Sequence, residues 1–245
     1  MKGFFAALGF LTAIPLPQKL RGGAIEISSA APYFPLVGLV IGIFVFCVYT
    51  TAGYFLPPLL ACAIVALAMS WISGGLHIDG LADTADGFLG GTGRERIIAI
   101  MKDSRTGAFG AFAIVTVVAI KIAAVQSLTA PFAVAALILS PVAARFAMTS
   151  AMSSFPYVSG EGGLGHAFNS GLNKNGLAMA LITFIGASAF AGLNVMTGLV
   201  ILTVASVFLF GAYCKSRLGG MTGDTYGALC EITETLSLIF FVSLG

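Results

Sequence analysis

Charged side chains are the scarcest class in this sequence. The 245 residues include only 12 Lys and Arg and 10 Asp and Glu, while 58% are hydrophobic. Soluble domains carry about 25% charged residues, so this chain has too few to cover a water-exposed surface. Its formal net charge of +2 also excludes the strongly basic surface that a nucleic-acid partner requires. The composition therefore indicates an integral membrane protein that binds no nucleic acid.

Closely spaced cysteines are missing as well. The four cysteines, Cys47, Cys62, Cys214 and Cys230, include no C-x-x-C pair and lie in or beside apolar stretches. This spacing favours unpaired thiols buried among apolar side chains, with a disulfide or a metal site as the lesser alternative.

Long apolar runs dominate what is present. Residues 27–76 contain no charged side chain, and roughly 20 apolar residues are enough to cross a bilayer. Breaks at Pro57-Pro58, at 129–131 and near Asn194 divide the runs into hairpins. The sequence thus predicts an all-α polytopic membrane protein, a single transmembrane domain over residues 1–245 with about seven spans. In chain order, the predicted spans are Phe34–Phe55, Leu59–Leu76, two within Phe109–Met152, two within Leu177–Tyr213, and Leu229–Leu244.

The polar segments all fall on one side of this predicted bundle. Apart from Lys121 and Arg145, the charged residues lie near the N-terminus, between the hairpins or at the start of the last span. The bias of Lys and Arg marks that side as cytoplasmic. We therefore expect a multi-pass protein of the cytoplasmic (inner) membrane, with cytoplasmic segments at 77–108 and 214–228. Residues 3–16 are too few to span and predict an interfacial helix.

The segment 77–108 carries a row of acids. Asp79, Asp83 and Asp86 are spaced i, i+4, i+7, which places them within roughly 60° of one another on a helix. Three carboxylates on one face repel each other unless a cation lies among them. Mg²⁺ takes oxygen ligands and keeps positions for phosphate oxygens. The row therefore predicts a magnesium site, and a solvated helix face is the alternative.

Further charges follow one short helix later. Lys102, Asp103 and Arg105 add a fourth carboxylate and two cations suited to phosphate. Acids that hold a metal beside cations that hold phosphate are what phosphoryl transfer needs.

His77, two residues before Asp79, would point to the other side of the helix, as a catalytic base or as a structural histidine at the interface.

A glycine-rich segment precedes the last predicted span. GGMTGDTYGALCE (219–231) places Asp224 and Glu231 seven apart, on one helix face if the helix starts near Asp224. Gly220 and Gly223 would let backbone amides approach a phosphate or a nucleotide. We interpret this segment as a substrate loop, and a plain turn is the alternative.

Two cations lie inside predicted spans. Arg145 would lie roughly 12 Å from the cytoplasmic end of its helix, where an arginine faces the bundle interior and a partner. We expect it to face the acidic row or a diphosphate. Lys121, about 20 Å deep by the same rise, either snorkels to the far interface or has a functional role.

The order of these motifs resembles one known family. GGLHIDGLADTADGF (74–88) followed by IMKDSRTGAFG (100–110) resembles the signature of cobalamin synthase, the adenosylcobinamide-GDP ribazoletransferase family. FLTAIPLP, YFPLVGLVIG, EGGLG and GGMTGDTYGALCE are similar to family blocks in the same order along the whole chain. The resemblance implies a membrane enzyme that joins adenosylcobinamide-GDP to α-ribazole or its 5′-phosphate, releases GMP and requires Mg²⁺. The acidic motif is also similar in its chemistry to CDP-alcohol phosphotransferases.

Residues and resemblance together predict a phosphotransferase site that faces the cytoplasm. A ribose hydroxyl of α-ribazole would attack the corrinoid-side phosphorus, and GMP would leave, its charge neutralised by Mg²⁺ and the cations. The predicted metal ligands are Asp79, Asp83, Asp86 and Asp103; the predicted catalytic residues are these four and His77; and the predicted substrate-binding residues are Lys102, Arg105, Arg145, Gly220, Gly223, Asp224 and Glu231.

Two alternatives and several details stay open at this stage. A transporter could use the acids for ion coupling, although such sites usually lie near the bilayer midplane. A CDP-alcohol or prenyl-diphosphate transferase would instead act on lipid substrates. The sequence does not decide which lower base is preferred, whether α-ribazole is used free or phosphorylated, or whether the chain forms a homo-oligomer.

Overall fold

The computed structural model describes residues 2–17, 28–158 and 164–245, without the side chains of residues 164–166 and 169. The EGGLG block (161–165) therefore lies largely outside the described residues. In the described part the regular structure is helical, with one isolated bridge between Tyr157 and Met221. The prediction of an all-α polytopic membrane protein is confirmed. The α-helices are α1 Lys2–Leu11, α2 Phe34–Phe55, α3 Pro58–Trp71, α4 Leu76–Gly90, α5 Arg94–Met101, α6 Ala108–Ser127, α7 Ala130–Ser154, α8 Leu164–Gly171, α9 Lys174–Ala189, α10 Leu193–Leu218 and α11 Gly223–Val242, and a 3-10 helix at Ala31–Tyr33 leads into α2.

The number of helices that can cross a membrane differs from the predicted seven or so. Of the described helices, five are long and apolar enough: α2 with its 3-10 turn, α6, α7, α10 and α11. α3 has 14 residues and α9 has 16, fewer than the roughly 20 that a span needs. α3 and α4 would make a sixth span together, but the chain turns by 83° between them. We place α4 outside the spans because of this turn and its three Asp residues.

The turn before α4 explains why the predicted span Leu59–Leu76 ends early. Gly74 and Gly75 have φ angles of 63° and 79°, a left-handed conformation that glycine adopts without the steric cost other residues meet. The helix therefore stops at Trp71, and a new one starts at Leu76 in another direction. The polar segment predicted at 77–108 is thus mostly two helices, α4 and α5.

The last helix starts before the predicted span Leu229–Leu244, close to Asp224, as the shared helix face of Asp224 and Glu231 requires. The Thr222 hydroxyl accepts a hydrogen bond from the Thr225 backbone N–H, and the Thr225 hydroxyl accepts one from the Thr222 backbone N–H. This capping box satisfies two backbone donors at the helix start, so α11 begins at Gly223. The segment predicted as a loop at 214–228 is non-helical only at residues 219–222.

α7 lies at the centre of the bundle and packs against α2, α9, α10 and α11. Gly38 and Gly42 on α2 let two backbones approach closely. A Cβ at Gly38 would lie 2.6 Å from the carbonyl oxygen of Pro141, and a Cβ at Gly42 would lie 2.5 Å from that of Ile138. Small residues four apart are a common device for packing helices in membranes.

The cysteine prediction holds for three of the four thiols. Cys62, Cys214 and Cys230 are buried and unpaired, whereas Cys47 is exposed on α2. It lies near the exposed apolar side chains Ile43 and Phe44, a surface that lipid would cover.

Candidate active site

The acidic row lies on α4, which packs against α11 and α6. Its three carboxylates have different environments: Asp79 is exposed, Asp83 is half-buried and Asp86 is buried. The row therefore does not form a uniform solvated face. Each of the three carboxylates has its own set of neighbours.

The first turn of α11 brings a fourth acid beside the row. A Cβ at Gly80 would lie 2.7 Å from the carbonyl oxygen of Asp224, so only glycine permits this approach. Burial, then the charges of Asp79, Asp224 and Asp86, raise the pKa of Asp83 to about 6. We call Asp79, Asp83 and Asp224 the acidic patch. The sequence analysis assigned Asp224 to a substrate loop and did not group it with the row.

Asp86 ties α4 to the start of α6. Its carboxylate accepts hydrogen bonds from the backbone N–H groups of Gly107 and Gly110, at 2.7 and 2.9 Å. These are unsatisfied donors at a helix start, where negative charge is also favourable. A Cβ at either glycine would collide with the carboxylate. Asp86 therefore has a positioning role that its predicted role as a metal ligand did not include.

The charges after α5 form a separate, exposed group. Asp103 accepts two hydrogen bonds from the Arg105 guanidinium, at 2.7 and 3.0 Å. These bonds lower the pKa of Asp103 to about 2. Lys102 is exposed at the end of α5.

Among the side chains that the structure describes, no three His, Cys, Asp or Glu lie close enough together to hold a metal ion. The chemistry of the donor set nevertheless fits Mg²⁺. The acidic patch offers hard carboxylate oxygens with an excess of negative charge, which a divalent cation would balance. The four predicted ligands remain a prediction.

Two cavities open at the two ends of the acidic row. The first, which we call the aromatic cavity, has a volume of about 260 Å³ and lies between α4, α7 and α11. Asp79 and Asp224 line it together with aromatic side chains. The described residues that line it are Phe10, Leu76, His77, Asp79, Met148, Met152, Tyr157, Phe168, Gly223, Asp224, Tyr226 and Gly227.

The second cavity, which we call the polar cavity, has a volume of about 560 Å³ and lies at the other end of α4. Asp86, Asp103, Arg96 and Arg105 line it. Two arginines beside a helix start suit a phosphate group. Arg96 was not among the predicted substrate-binding residues, although it belongs to the same short charged segment.

The two glycines of the glycine-rich loop that are predicted to bind substrate, Gly220 and Gly223, have different surroundings. Gly223 lines the aromatic cavity. Gly220 is buried, and its neighbour Met221 donates a backbone hydrogen bond of 2.8 Å to the carbonyl of Pro156. This part of the loop is fixed against residues 156–158 and lines neither cavity.

Four charged side chains form a buried cluster among the spans, which we call the ion-pair cluster: Lys121, Arg145, Glu231 and Glu234. Lys121 donates hydrogen bonds of 2.7 Å to both Glu231 and Glu234, and Arg145 pairs with Glu234. Each is at most 3% exposed. Lys121 therefore does not snorkel. Arg145 and Glu231, predicted to bind substrate, have protein partners here. The sequence analysis did not name Glu234, although its spacing from Glu231 puts both acids on one helix face.

His77 lies between the aromatic cavity and this cluster. It is 1% exposed, and neither ring nitrogen has a hydrogen-bond partner among the described residues. Burial, then the charge of Arg145, lower the pKa of His77 to about 3. A base whose pKa is lowered by burial accepts a proton poorly; the role of His77 as a base stays a prediction.

Arg217 anchors the end of α4, a role the sequence analysis did not find. Its guanidinium donates to the carbonyl oxygens of Phe88 and Gly91, at 2.9 and 3.0 Å. It also lies over the rings of Phe88 and Tyr213, where a cation is favoured. The three contacts with Phe88 and Gly91 hold α10 to the C-terminal end of α4, while Tyr213 lies on α10 with Arg217.

Comparison with known proteins gives consistent matches over nearly the whole chain. Residues 3–242 match the family described as cobalamin-5-phosphate synthase. A relative from Brevibacillus brevis is 36% identical over 99% of this chain and 98% of its own length. A relative from Syntrophobacter fumaroxidans is 42% identical over 96% of both chains. Both are named adenosylcobinamide-GDP ribazoletransferase. No solved structure matches.

Proposed function

The chain belongs to the cobalamin-5-phosphate synthase family, and we propose that it transfers the adenosylcobinamide phosphate group from adenosylcobinamide-GDP to α-ribazole or its 5′-phosphate. It is a transferase of cobalamin biosynthesis, a ribazoletransferase as its relatives are, and a multi-pass membrane protein. The products are adenosylcobalamin or its 5′-phosphate, and GMP. Mg²⁺ dependence is part of the proposal.

One observation supports this reaction over the transporter and lipid-transferase alternatives. The acidic row connects two cavities of different chemistry, one aromatic and one lined by arginines. A transferase that joins two large substrates needs two such spaces with the reacting groups between them. Asp83 lies between Asp79 at the first cavity and Asp86 at the second.

The polar cavity is the proposed place for the diphosphate of the donor. Arg96 and Arg105 line it and supply planar donors for phosphate oxygens. The start of α6 lies at the same place, but its Gly107 and Gly110 N–H groups already donate to Asp86, so the arginines would carry the binding of phosphate. Lys102, exposed at the adjoining helix end, would add to the positive potential that attracts the diphosphate. Arg145 and Glu231 would support the site from the ion-pair cluster.

The acidic patch is the proposed place for Mg²⁺. Asp79 and Asp83 would hold it, whereas the two other predicted ligands, Asp86 and Asp103, line the polar cavity at the other end of α4. When bound, Mg²⁺ would neutralise the diphosphate and the charge that develops on the leaving GMP. Asp224 lines the aromatic cavity beside these ligands.

The proposed reaction is an in-line displacement. A ribose hydroxyl of the acceptor attacks the corrinoid-side phosphorus, and the bond from that phosphorus to the bridging oxygen breaks. GMP leaves with that oxygen. The hydroxyl proton passes to a carboxylate, which we assign to Asp224 because it is half-buried and lines the cavity from which the acceptor would approach.

The proposed location is the cytoplasmic (inner) membrane with the site facing the cytoplasm. Arg94, Arg96, Lys174, Lys215 and Arg217 lie at the ends of helices on the charged side of the chain, as the positive-inside rule requires. A cysteine introduced at exposed Glu95 should react with an impermeant maleimide only in inverted vesicles. Reaction in intact spheroplasts would indicate the opposite orientation.

The reaction is tested with purified protein in nanodiscs. GMP is followed by chromatography, with adenosylcobinamide-GDP and α-ribazole supplied together or singly. We expect Mg²⁺-dependent GMP release only when both substrates are present, matched by a cobalamin product. GMP from the donor alone would indicate a hydrolase. Release of CMP from CDP-diacylglycerol and an alcohol acceptor, without any reaction of the corrinoid, would support the lipid-transferase alternative.

A further inference from the structure

One buried side chain of the aromatic cavity, His77, has no hydrogen-bond partner in the part of the chain that the structure describes. Buried side-chain nitrogens normally have a hydrogen-bond partner, because burying a polar atom without a hydrogen bond costs free energy. Both ring nitrogens of His77 lack one among the described residues, and His77 lines the cavity. The cavity therefore offers a hydrogen bond to a molecule that enters it.

The rest of the cavity wall selects a flat, apolar ligand. Tyr157 and Tyr226 stack at 6.3 Å between ring centroids, and the rings of Phe10 and Phe168 are 4.6 Å apart. Met152 on α7 adds a polarisable thioether. These side chains favour the faces and edges of an aromatic ring system.

Two carboxylates of the cavity wall indicate which groups the other end of the ligand carries. Asp79 and Asp224 line the same cavity and belong to the acidic patch. A ligand with an aromatic part toward His77 and hydroxyl groups toward the carboxylates would satisfy both ends. A nucleoside with a largely apolar base has this division.

The size and polarity of the cavity separate the candidates. Its volume of about 260 Å³ is near the lower limit of small-molecule sites, roughly 300 Å³, and suits a bicyclic base far better than a corrin ring. Guanine carries several donors and acceptors that one buried imidazole cannot satisfy. A benzimidazole riboside has one free ring nitrogen, an acceptor that matches a single imidazole N–H.

We infer that the aromatic cavity binds the base of the acceptor nucleoside, with His77 donating a hydrogen bond to its free ring nitrogen and the ribose directed to Asp79 and Asp224. This inference rests on the proposed function and adds the acceptor subsite to it. His77 is then a specificity-determining residue rather than a base.

The test separates the Michaelis constants of the two substrates. His77→Ala should raise KM for α-ribazole about tenfold, the loss expected for one buried hydrogen bond. KM for adenosylcobinamide-GDP should stay unchanged. His77→Gln keeps an N–H donor and should recover part of the loss. Thr84→Val is the matched control, because Thr84 is buried on the same helix, its hydroxyl lacks a partner among the described residues, and it lines neither cavity.

A second variant changes the cavity volume without touching His77 or the acids. Met152→Phe should discriminate between bases, raising KM for a dimethylbenzimidazole riboside more than KM for an unsubstituted benzimidazole riboside. Equal effects on both ribosides, or a rise in KM for the donor alone, would overturn the assignment of this cavity to the acceptor.

Failure of the inference and failure of the proposed function give different results. If the wild-type protein turns over but the His77 variants leave KM for α-ribazole unchanged, the inference is wrong and the function stands. If the wild-type protein releases no GMP, the function fails. Equilibrium dialysis of labelled α-ribazole against the nanodisc protein then tests the cavity alone, and absence of binding overturns the inference as well.

Discussion

Removal of the Glu234 charge should strongly destabilise the bundle. Glu234 pairs with both Lys121 and Arg145, and all three side chains are at most 2% exposed. Glu234→Gln would leave two buried cations facing the single carboxylate of Glu231. Breaking a buried ion pair in this way costs about 3–5 kcal/mol. For a chain of this size that corresponds to a fall in Tm of roughly 6–20 °C.

The buried thiols provide the assay. Cys62, Cys214 and Cys230 are inaccessible in the folded protein, so a fluorogenic maleimide reports unfolding as the temperature rises. Exposed Cys47 would be replaced by Ser in every variant to remove its background. Glu95→Gln, which removes an exposed acid from α5, is the control and should leave Tm nearly unchanged.

A double variant tests the electrostatic reason for the loss. Arg145→Met combined with Glu234→Gln leaves Lys121 and Glu231 as one neutral pair, so it should be more stable than Glu234→Gln alone. If Glu234→Gln melts with the wild-type protein, or if the double variant is the less stable of the two, the ion-pair cluster is not what holds these spans together.

Further predictions concern the contacts that hold α4 in place, made by Asp86 and Arg217, and the metal ion. Gly110→Ala should lower kcat for GMP release at least about tenfold, because its methyl group displaces Asp86 from α6, whereas exposed Phe112→Ala on the same helix should not; equal rates would remove the positioning role of Asp86. Arg217→Lys keeps the charge but loses the paired donation to Phe88 and Gly91, so Tm should fall by several degrees while Lys215→Arg leaves it unchanged. Chelation by EDTA should abolish GMP release and added Mg²⁺ should restore it; activity in EDTA would exclude the metal site.

The parts of the fold that depend on local sequence could be predicted. The all-α membrane class follows from composition, and the row of Asp79, Asp83 and Asp86 follows from helical spacing. Turn positions were close where proline or glycine breaks a run, as between α2 and α3. The predicted span Leu229–Leu244 leaves out the first turns of α11 because the apolar run begins after the capping box at Thr222 and Thr225.

The parts that depend on distant contacts could not be predicted. Lys121 and Glu234 are 113 positions apart, and Arg145 and Glu234 are 89 apart, so nothing in the local pattern pairs them. The same holds for Asp86 with Gly107, and for Arg217 with Phe88. The aromatic cavity collects Phe10, Tyr157 and Tyr226 from three separate segments. The spacing of residues along one helix therefore predicts which side chains share a face. The residues that contact that face are determined by how the helices pack, which the local sequence does not predict.

The most direct test of the account is the rate of GMP release by Asp83→Asn. This substitution keeps the shape of the side chain and removes one charge from the middle of the acidic patch. We expect release by Asp83→Asn at saturating Mg²⁺ to fall about a hundred- to a thousandfold, the loss typical when one group that stabilises transition-state charge is removed. The Tm of Asp83→Asn, and both the Tm and the turnover of the exposed control Glu95→Gln, should stay at wild-type values. Near-normal turnover by Asp83→Asn would contradict the assignment of the reaction to this acidic row.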